Sequence, residues 1–338
     1  MLEQGAMLEK GEMLEHGGNL QQAAQQYGRP LTEWLDLSTG INPQHYPITN
    51  LPAALFHRLP AVADNLHAMA QAYYGASHVL ACAGSQAALQ VLPRLRSPCR
   101  VAMPRTMYQE HAHAWQQAGH SVHFFERLPD DALLQQCEVL LVCNPNNPTG
   151  QKYATETLLA WHAELAQRGS WLVVDEAFMD STPQHSLASH SGLTGLWVLR
   201  SLGKFFGLAG LRVGFLLGDP TALRHIAALL GPWTLTGPSQ YLAELALADR
   251  PWQQATRMQL AGQSAKLAQL LTQHGLTPSG GTDLFQYVQH PAAQQLHQAL
   301  AHHGIWTRYF ADPQALRFGL PAEADWSRLA QALSSMAV

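Results

Sequence analysis

The stretch Ser201-Leu-Gly-Lys204-Phe-Phe-Gly-Leu-Ala-Gly-Leu-Arg212 sets one lysine between a hydroxyl three positions before it and an arginine eight positions after it. Glycines at 203, 207, 210 and 214 crowd the surroundings, which are otherwise apolar. Desolvation and a neighbouring cation both lower a lysine pKa, and a neutral amine can form a Schiff base. A hydroxyl and a guanidinium are suited to hold a phosphate beside that amine. An aldehyde cofactor that carries a phosphate, pyridoxal 5'-phosphate (PLP), fits this pattern.

Around this stretch the chain alternates strand-like and helix-like segments. Val79–Cys82, Arg100–Met103, Val122–Phe125, Val139–Cys143, Trp171–Val174, Leu196–Leu199 and Val213–Leu217 read as short strands. Helical patterns begin at Ser85 and run over Gln109–Gln117 and Thr155–Gln167. The alternation predicts an α/β fold with a mainly parallel central sheet covered on both faces. Ligands on such sheets collect at the carboxyl ends of strands. Gly84, Asn147, Asp175 and Lys204 all fall at or just beyond expected strand ends.

After Pro251 the pattern changes. A helix over Gln253–His274 leads to strands at Phe285–Val288, Ile305–Tyr309 and Ala315–Gly319, with a helix over Gln294–His303. This predicts a smaller α+β domain. The expected organisation is a large domain over 41–250 and a small one over 251–338, with 13–40 packing on the small one. Residues 1–18 contain three near-copies beginning at Met1, Met7 and Met13. Each methionine is a candidate start, and 1–12 reads as an extension outside the fold.

The 338 residues include 47% hydrophobic and only 13% charged side chains, enough for a large core. A formal net charge of -4 without any basic run argues against nucleic acid as a partner. No apolar stretch reaches membrane-spanning length, and the chain does not open on a secretory pattern. Cys82, Cys99, Cys137 and Cys143 show no CxxC spacing, which fits free thiols in a reducing cytoplasm. His111, His113, His120 and His123 cluster without zinc-type spacing, so they read as solvated or locally hydrogen-bonded and no metal is expected. Low surface charge favours a homo-oligomer.

Each candidate site residue has a chemical reading and a plainer one. Asp175 can keep a pyridine nitrogen protonated, or it can cap a strand end. Asn147 can donate to the cofactor's O3', or simply make a turn with Pro148 and Gly150. Ser85 and Gln86 open a helix whose backbone N–H groups suit a phosphate, with Ser201 and Arg212 completing the cup. Tyr108 can stack on a ring or serve as a half-buried structural aromatic. Arg308 and Arg317 can bind a carboxylate or phosphate bidentately, or form structural ion pairs.

Taken together these residues resemble the fold-type I PLP-dependent enzymes, the aspartate aminotransferase superfamily, over nearly the whole chain from Met13. Within it they are similar to the branch of histidinol-phosphate aminotransferases and their decarboxylating relatives. Three stretches favour the decarboxylating side: His16-Gly-Gly-Asn19, Leu35-Asp-Leu-Ser-Thr-Gly-Ile-Asn42-Pro43 and Glu110-His-Ala-His-Ala-Trp115. The resemblance implies Lys204 as Schiff-base lysine, Asp175 as pyridinium partner and Asn147 as O3' donor. It also implies Ser85, Gln86, Ser201 and Arg212 as phosphate-cup residues, and Arg317 as the α-carboxylate arginine. Arg308, His16, Asn19 and Asn42 fall where a phosphorylated substrate would lie. The implied reaction is decarboxylation of L-threonine O-3-phosphate in cobalamin biosynthesis, by a cytoplasmic homodimer. Its rivals are an aminotransferase of histidinol-phosphate type and a non-catalytic PLP-fold binding protein in a biosynthetic assembly.

Two positions depart from the branch. Phe178 stands where many relatives have a tyrosine that bonds O3'. Leu59 stands where a tyrosine usually crosses to the neighbouring subunit's cofactor phosphate, with Tyr73 or Tyr74 as possible substitutes.

Overall fold

The computed structural model describes residues 17–48, 50–60 and 63–336. The expected extension over 1–12, the alternative starts and His16 therefore lie outside the described residues.

Strand β1 (Leu35–Asp36) precedes the main sheet, which comprises β2 (Val79–Ala83), β3 (Arg100–Pro104), β4 (Ser121–Phe125), β5 (Val139–Cys143), β6 (Trp171–Asp175), β7 (Leu196–Ser201) and β8 (Val213–Leu217). Their spatial order is β2-β8-β7-β6-β5-β3-β4. All pairings are parallel except those of β8, which runs antiparallel to both β2 and β7. β5 reads Val-Leu-Leu-Val-Cys and is buried at every position, as a strand covered on both faces must be. β4, at the edge, exposes Ser121 and His123 in alternation.

Register places the functional positions level with one another. Cys143 pairs with Asp175, Asp175 with Leu199, and Ser201 with Gly214. The carboxyl ends of β5, β6 and β7 thus form a common rim.

Beyond the main sheet lie β9 (Gly280–Thr282), β10 (Phe285–Gln289), β11 (Ile305–Trp306), β12 (Arg308–Phe310) and β13 (Ala315–Gly319). Four of them form an antiparallel sheet in the order β12-β13-β10-β9. The single strand expected over Ile305–Tyr309 is two: β11 pairs in parallel with β1, and β12 pairs with β13. Thr307, buried between them and within 2.8 Å of His297 Nδ1, marks the change of partner. Trp34 and Trp306 meet edge-to-face beside the β1–β11 pair, so residues 20–36 lie against the carboxyl-terminal elements. The 24-residue helix Arg250–Gln273 begins at a side-chain cap, Asp249 accepting from the Trp252 N–H.

Candidate active site

The rim of the main sheet opens into two adjoining clefts. The inner one is lined by Ser85, Gln86, Tyr108, Asn147, Asp175, Ser201, Lys204 and Arg212, together with Gly84, Cys143 and Phe178. The outer one is lined by Gly17, Thr39, Gln109, Arg308, Phe310 and Arg317, and it shares Tyr108, Asn147 and Lys204 with the first.

Lys204 sits in the loop after β7. That loop is held by backbone hydrogen bonds from Asn42 N to the Lys204 carbonyl (3.0 Å) and from Tyr46 N to the Phe206 carbonyl (2.8 Å). Gly207 closes it at φ 68°, where a Cβ would lie 2.6 Å from His45 Cα. Burial, then the nearby Arg317 cation, lowers the Lys204 pKa to about 8, against the opposing pull of Asp175. The amine lies 5.4 Å from the centre of the Phe178 ring, which packs edge-to-face on Phe285.

Asp175 ends β6 with one oxygen accepting from the Ala177 N–H at 2.9 Å and the other 2.8 Å from His111 Nε2. His111 is only 1% exposed. It departs from the expectation that its histidine cluster is solvated or locally bonded, because its partner is 64 residues away, whereas His123 is exposed and lies 3.0 Å from Ser121 Oγ as that expectation has it. His120 departs likewise: buried, with one ring nitrogen 2.9 Å from the Pro93 carbonyl and the other accepting from Cys99 N–H. A signal for His111 existed in the sequence. On the helix Glu110–Gln117 the buried face carries His111, Ala112, Ala114 and Trp115, so His111 shares the inward stripe. His111, Cys143 and Asp175 bring ligand-type atoms within 4.8 Å of one another. His111 is already engaged by Asp175, and burial, reinforced by Asp175, pushes the Cys143 thiol pKa far up.

At the other end of the inner cleft, Gly84 (φ 75°) opens the helix Ser85–Val91. A Cβ there would lie 2.7 Å from Arg212 Nη2, so the missing side chain leaves the guanidinium its place at the cleft. Arg212 itself takes the left-handed conformation (φ 54°) with Nη1 donating to the Ala209 carbonyl at 3.2 Å. Tyr108 donates to Gln86 Oε1 at 3.3 Å, and Gln86 donates onward to Glu110 at 2.7 Å.

The outer cleft is organised by Arg317 on β13. It donates to Asn147 Oδ1 and, at 2.6 Å, to the Ser38 carbonyl. The Asn147 amide is thereby turned with its oxygen on Arg317, which leaves the amino end as its remaining donor. Burial and the neighbouring Arg308 lower the Arg317 pKa to about 10.

Two expected substrate residues lie elsewhere. Asn19 is exposed and caps the helix Leu20–Tyr27, its side-chain oxygen accepting from Gln22 N–H at 3.2 Å. Asn42 is buried with both ends of its amide committed, to the Phe205 carbonyl (2.9 Å) and the Gln44 N–H (2.9 Å). Its role here is to brace the loop behind Lys204. Leu59 is 68% exposed, and neither Tyr73 nor Tyr74 lines a cleft; both are packed around Asp180 and Arg200.

A profile of the family described as aminotransferase class I and II matches residues 56–336. A threonine-phosphate decarboxylase from Pseudomonas aeruginosa is 52% identical over 317 residues, covering 94% of this chain and 96% of that one. A second threonine-phosphate decarboxylase, from a Sinorhizobium species, is 42% identical and covers 94% of this chain and 97% of its own. Among solved structures, the histidinol-phosphate aminotransferase of Sinorhizobium meliloti in complex with pyridoxal-5'-phosphate superposes with a TM-score of 0.79 at 19% identity, covering 97% of each chain. A lysine, a carboxylate and an arginine on the rim of this sheet, and a profile match through most of the chain, lead to one conclusion: the protein belongs to the class I and II aminotransferase family.

Proposed function

We propose that this protein is a PLP-dependent decarboxylase that converts L-threonine O-3-phosphate to (R)-1-amino-2-propanol O-2-phosphate and carbon dioxide, in cobalamin biosynthesis. The observation that carries this reading is the pair Arg308 and Arg317 in the cleft that adjoins Lys204. Two guanidinium groups match a substrate with both a phosphate and a carboxylate. Histidinol phosphate, the substrate of the rival aminotransferase reading, has a phosphate but no carboxylate. The extended identity to two threonine-phosphate decarboxylases supports the same choice.

The residues present fit the cofactor. An amine whose pKa is lowered to about 8, a carboxylate backed by a buried histidine, and a guanidinium given room by Gly84 make the donor set that an aldehyde, a pyridine nitrogen and a phosphate require. Lys204 would hold the aldehyde carbon, Asp175 the ring nitrogen and the Asn147 amino group O3'. Ser85, Gln86, Ser201 and Arg212 would hold the phosphate, with Tyr108 against the ring. Once bound, PLP supplies a ring that accepts the electron pair released at the substrate Cα.

The remaining work falls to the chain. Asp175, oriented by His111, keeps a proton on the ring nitrogen. Arg317 and Arg308 anchor the two anionic groups of the substrate and so fix the torsion about Cα, which selects the bond to the carboxylate for cleavage. Lys204 would return a proton to Cα. Phe178 lines this space without offering a hydrogen bond.

We read the active form as a cytoplasmic homodimer. Phe56, Leu59 and Trp233 are each at least 60% exposed, and Gly237 lies against the Leu55 carbonyl, so the two segments that carry them adjoin. This apolar surface suits a second copy of the chain. Among the described residues no helix is long and apolar enough to cross a membrane. The function is tested by incubating the purified protein with L-threonine O-3-phosphate and no 2-oxo acid. Release of carbon dioxide is expected; conversion of the bound cofactor to pyridoxamine phosphate would favour the aminotransferase.

A further inference from the structure

Behind the inner cleft lies a cluster of charges that the reaction does not touch. Arg200 is 1% exposed, and Glu176 and Asp180 are 0% exposed. One arm of the guanidinium donates to Glu176 Oε2 at 2.6 Å, the other to Asp180 Oδ1 at 2.5 Å. Burial alone would lower the Arg200 pKa, but Asp180 and Glu176 together raise it, so it stays a cation. Glu176 also accepts from Ser186 Oγ and from the Leu187 N–H. Tyr73 donates to Asp180 at 3.1 Å, and Arg257 donates to the Asp180 carbonyl and to the Tyr73 hydroxyl.

The placement of these residues in the chain is what matters. Glu176 directly follows Asp175, and Arg200 directly precedes Ser201 and lies four residues before Lys204. The β6–β7 junction is closed by the Glu176 N–H donating to the Leu199 carbonyl at 2.9 Å. Arg257, from the long helix, lies 5.3 Å from the ring of Phe205, the residue after Lys204. The cluster therefore grips the ends of both strands that present reacting groups, and the loop between them and the cleft.

Replacing a buried ion pair with apolar side chains of similar volume is often neutral for stability, so three charges at this depth do not explain themselves as stabilisers. A buried hydrogen-bonded network does fix distances, here through both arms of the guanidinium, with Arg200 Nε and Asp180 Oδ2 left buried without a hydrogen-bond partner. We propose that Arg200 is a positioning residue: by holding Glu176 and Asp180 in one fork, it sets the end of β6 that carries Asp175 against the end of β7 that leads to Lys204. This rests on the cofactor roles given above to Asp175 and Lys204.

The test uses the PLP-loaded enzyme and the variants Arg200→Lys and Asp180→Asn. Four quantities are measured: thermal unfolding, kcat and KM for L-threonine O-3-phosphate, and the pH midpoint of the absorbance of the lysine-linked chromophore. The expected result is a folded variant whose kcat falls about 100-fold, as a misplacement of about an ångström can cause, with KM changed less than about threefold. The chromophore midpoint should move by about half a pH unit or more, because the Asp175–Lys204 geometry sets it. A folded variant with lowered thermal stability but unchanged kcat and midpoint overturns the proposal and leaves the cluster a structural one. If Arg200→Lys does not fold, the isosteric Asp180→Asn is judged by the same criteria. A wild-type enzyme without a borohydride-reducible chromophore on Lys204 would overturn the cofactor reading itself, and the proposal with it.

Discussion

The two clefts of this molecule share Lys204, Tyr108 and Asn147 yet are built on different principles. The inner one takes its lining residues from positions 84–212, nearly all of them at strand ends of a single sheet or in the loops directly following. Ladder hydrogen bonds set their mutual heights, as the pairing of Cys143 with Asp175 and of Asp175 with Leu199 shows. The outer one joins the segment around Gly17 and Thr39 to β12 and β13, almost 300 residues later in the chain. It is held by packing and by single contacts such as Arg317 to the Ser38 carbonyl. The difference teaches how one scaffold can separate two tasks: a single sheet frames the inner cleft, where we place the chemistry, and distant segments assemble the outer one, where we place substrate selection.

Substitutions can break this separation or sharpen it. The largest effect is expected for Lys204→Ala, which would remove both the proposed attachment point and the proposed proton carrier. Decarboxylation should fall by about 10⁴-fold or more in a stopped carbon dioxide assay, while calorimetry still detects substrate binding through the outer cleft. Loss of substrate binding as well would mean that the clefts are one site. Next, Arg308→Met should raise KM for the phosphorylated substrate by about 100-fold, the cost of one charge-assisted anion contact, and leave the cofactor dissociation constant unchanged. A weakened cofactor in that variant would break the comparison from the other side.

The smallest effect is one of pH. The Lys204 amine, lowered to about 8, is protonated and unreactive below that pH. Capture of PLP by the cofactor-free protein should therefore speed up about tenfold per unit as pH rises toward 8, then level off above it. Stopped-flow absorbance reads this directly. A profile that keeps rising to pH 10 would mean that the burial of Lys204 does not depress its pKa.

The same contrast explains what the sequence could reveal. The inner cleft was legible because strand ends announce themselves: apolar runs stop at Asp175, at Arg200 and before Asn144, and after the last two a glycine or proline follows within three residues. The shape of the main sheet follows from the same runs. Asn19 and Asn42 were misread because a motif tells which residues are near a site, not which way an amide points. A helix start claims the Asn19 side chain, and the loop behind Lys204 claims that of Asn42. His111 was missed because its carboxylate partner is 64 residues away, and only the packing of the helix Glu110–Gln117 against the sheet brings them together. The division of Ile305–Tyr309 into two strands was hidden for a related reason. Its residues are all strand-like, and the change of pairing partner at Thr307 depends on β1, from the far end of the chain.

The central claim is that the outer cleft, with its two arginines, presents the bond from Cα to the carboxylate for cleavage. It is tested most directly by supplying L-threonine O-3-phosphate to the PLP-loaded protein with no 2-oxo acid present and following carbon dioxide and the cofactor spectrum together. The account predicts one carbon dioxide for each substrate consumed, over many turnovers, with the lysine-linked chromophore restored at the end. A single turnover that leaves pyridoxamine phosphate and releases no carbon dioxide would contradict it.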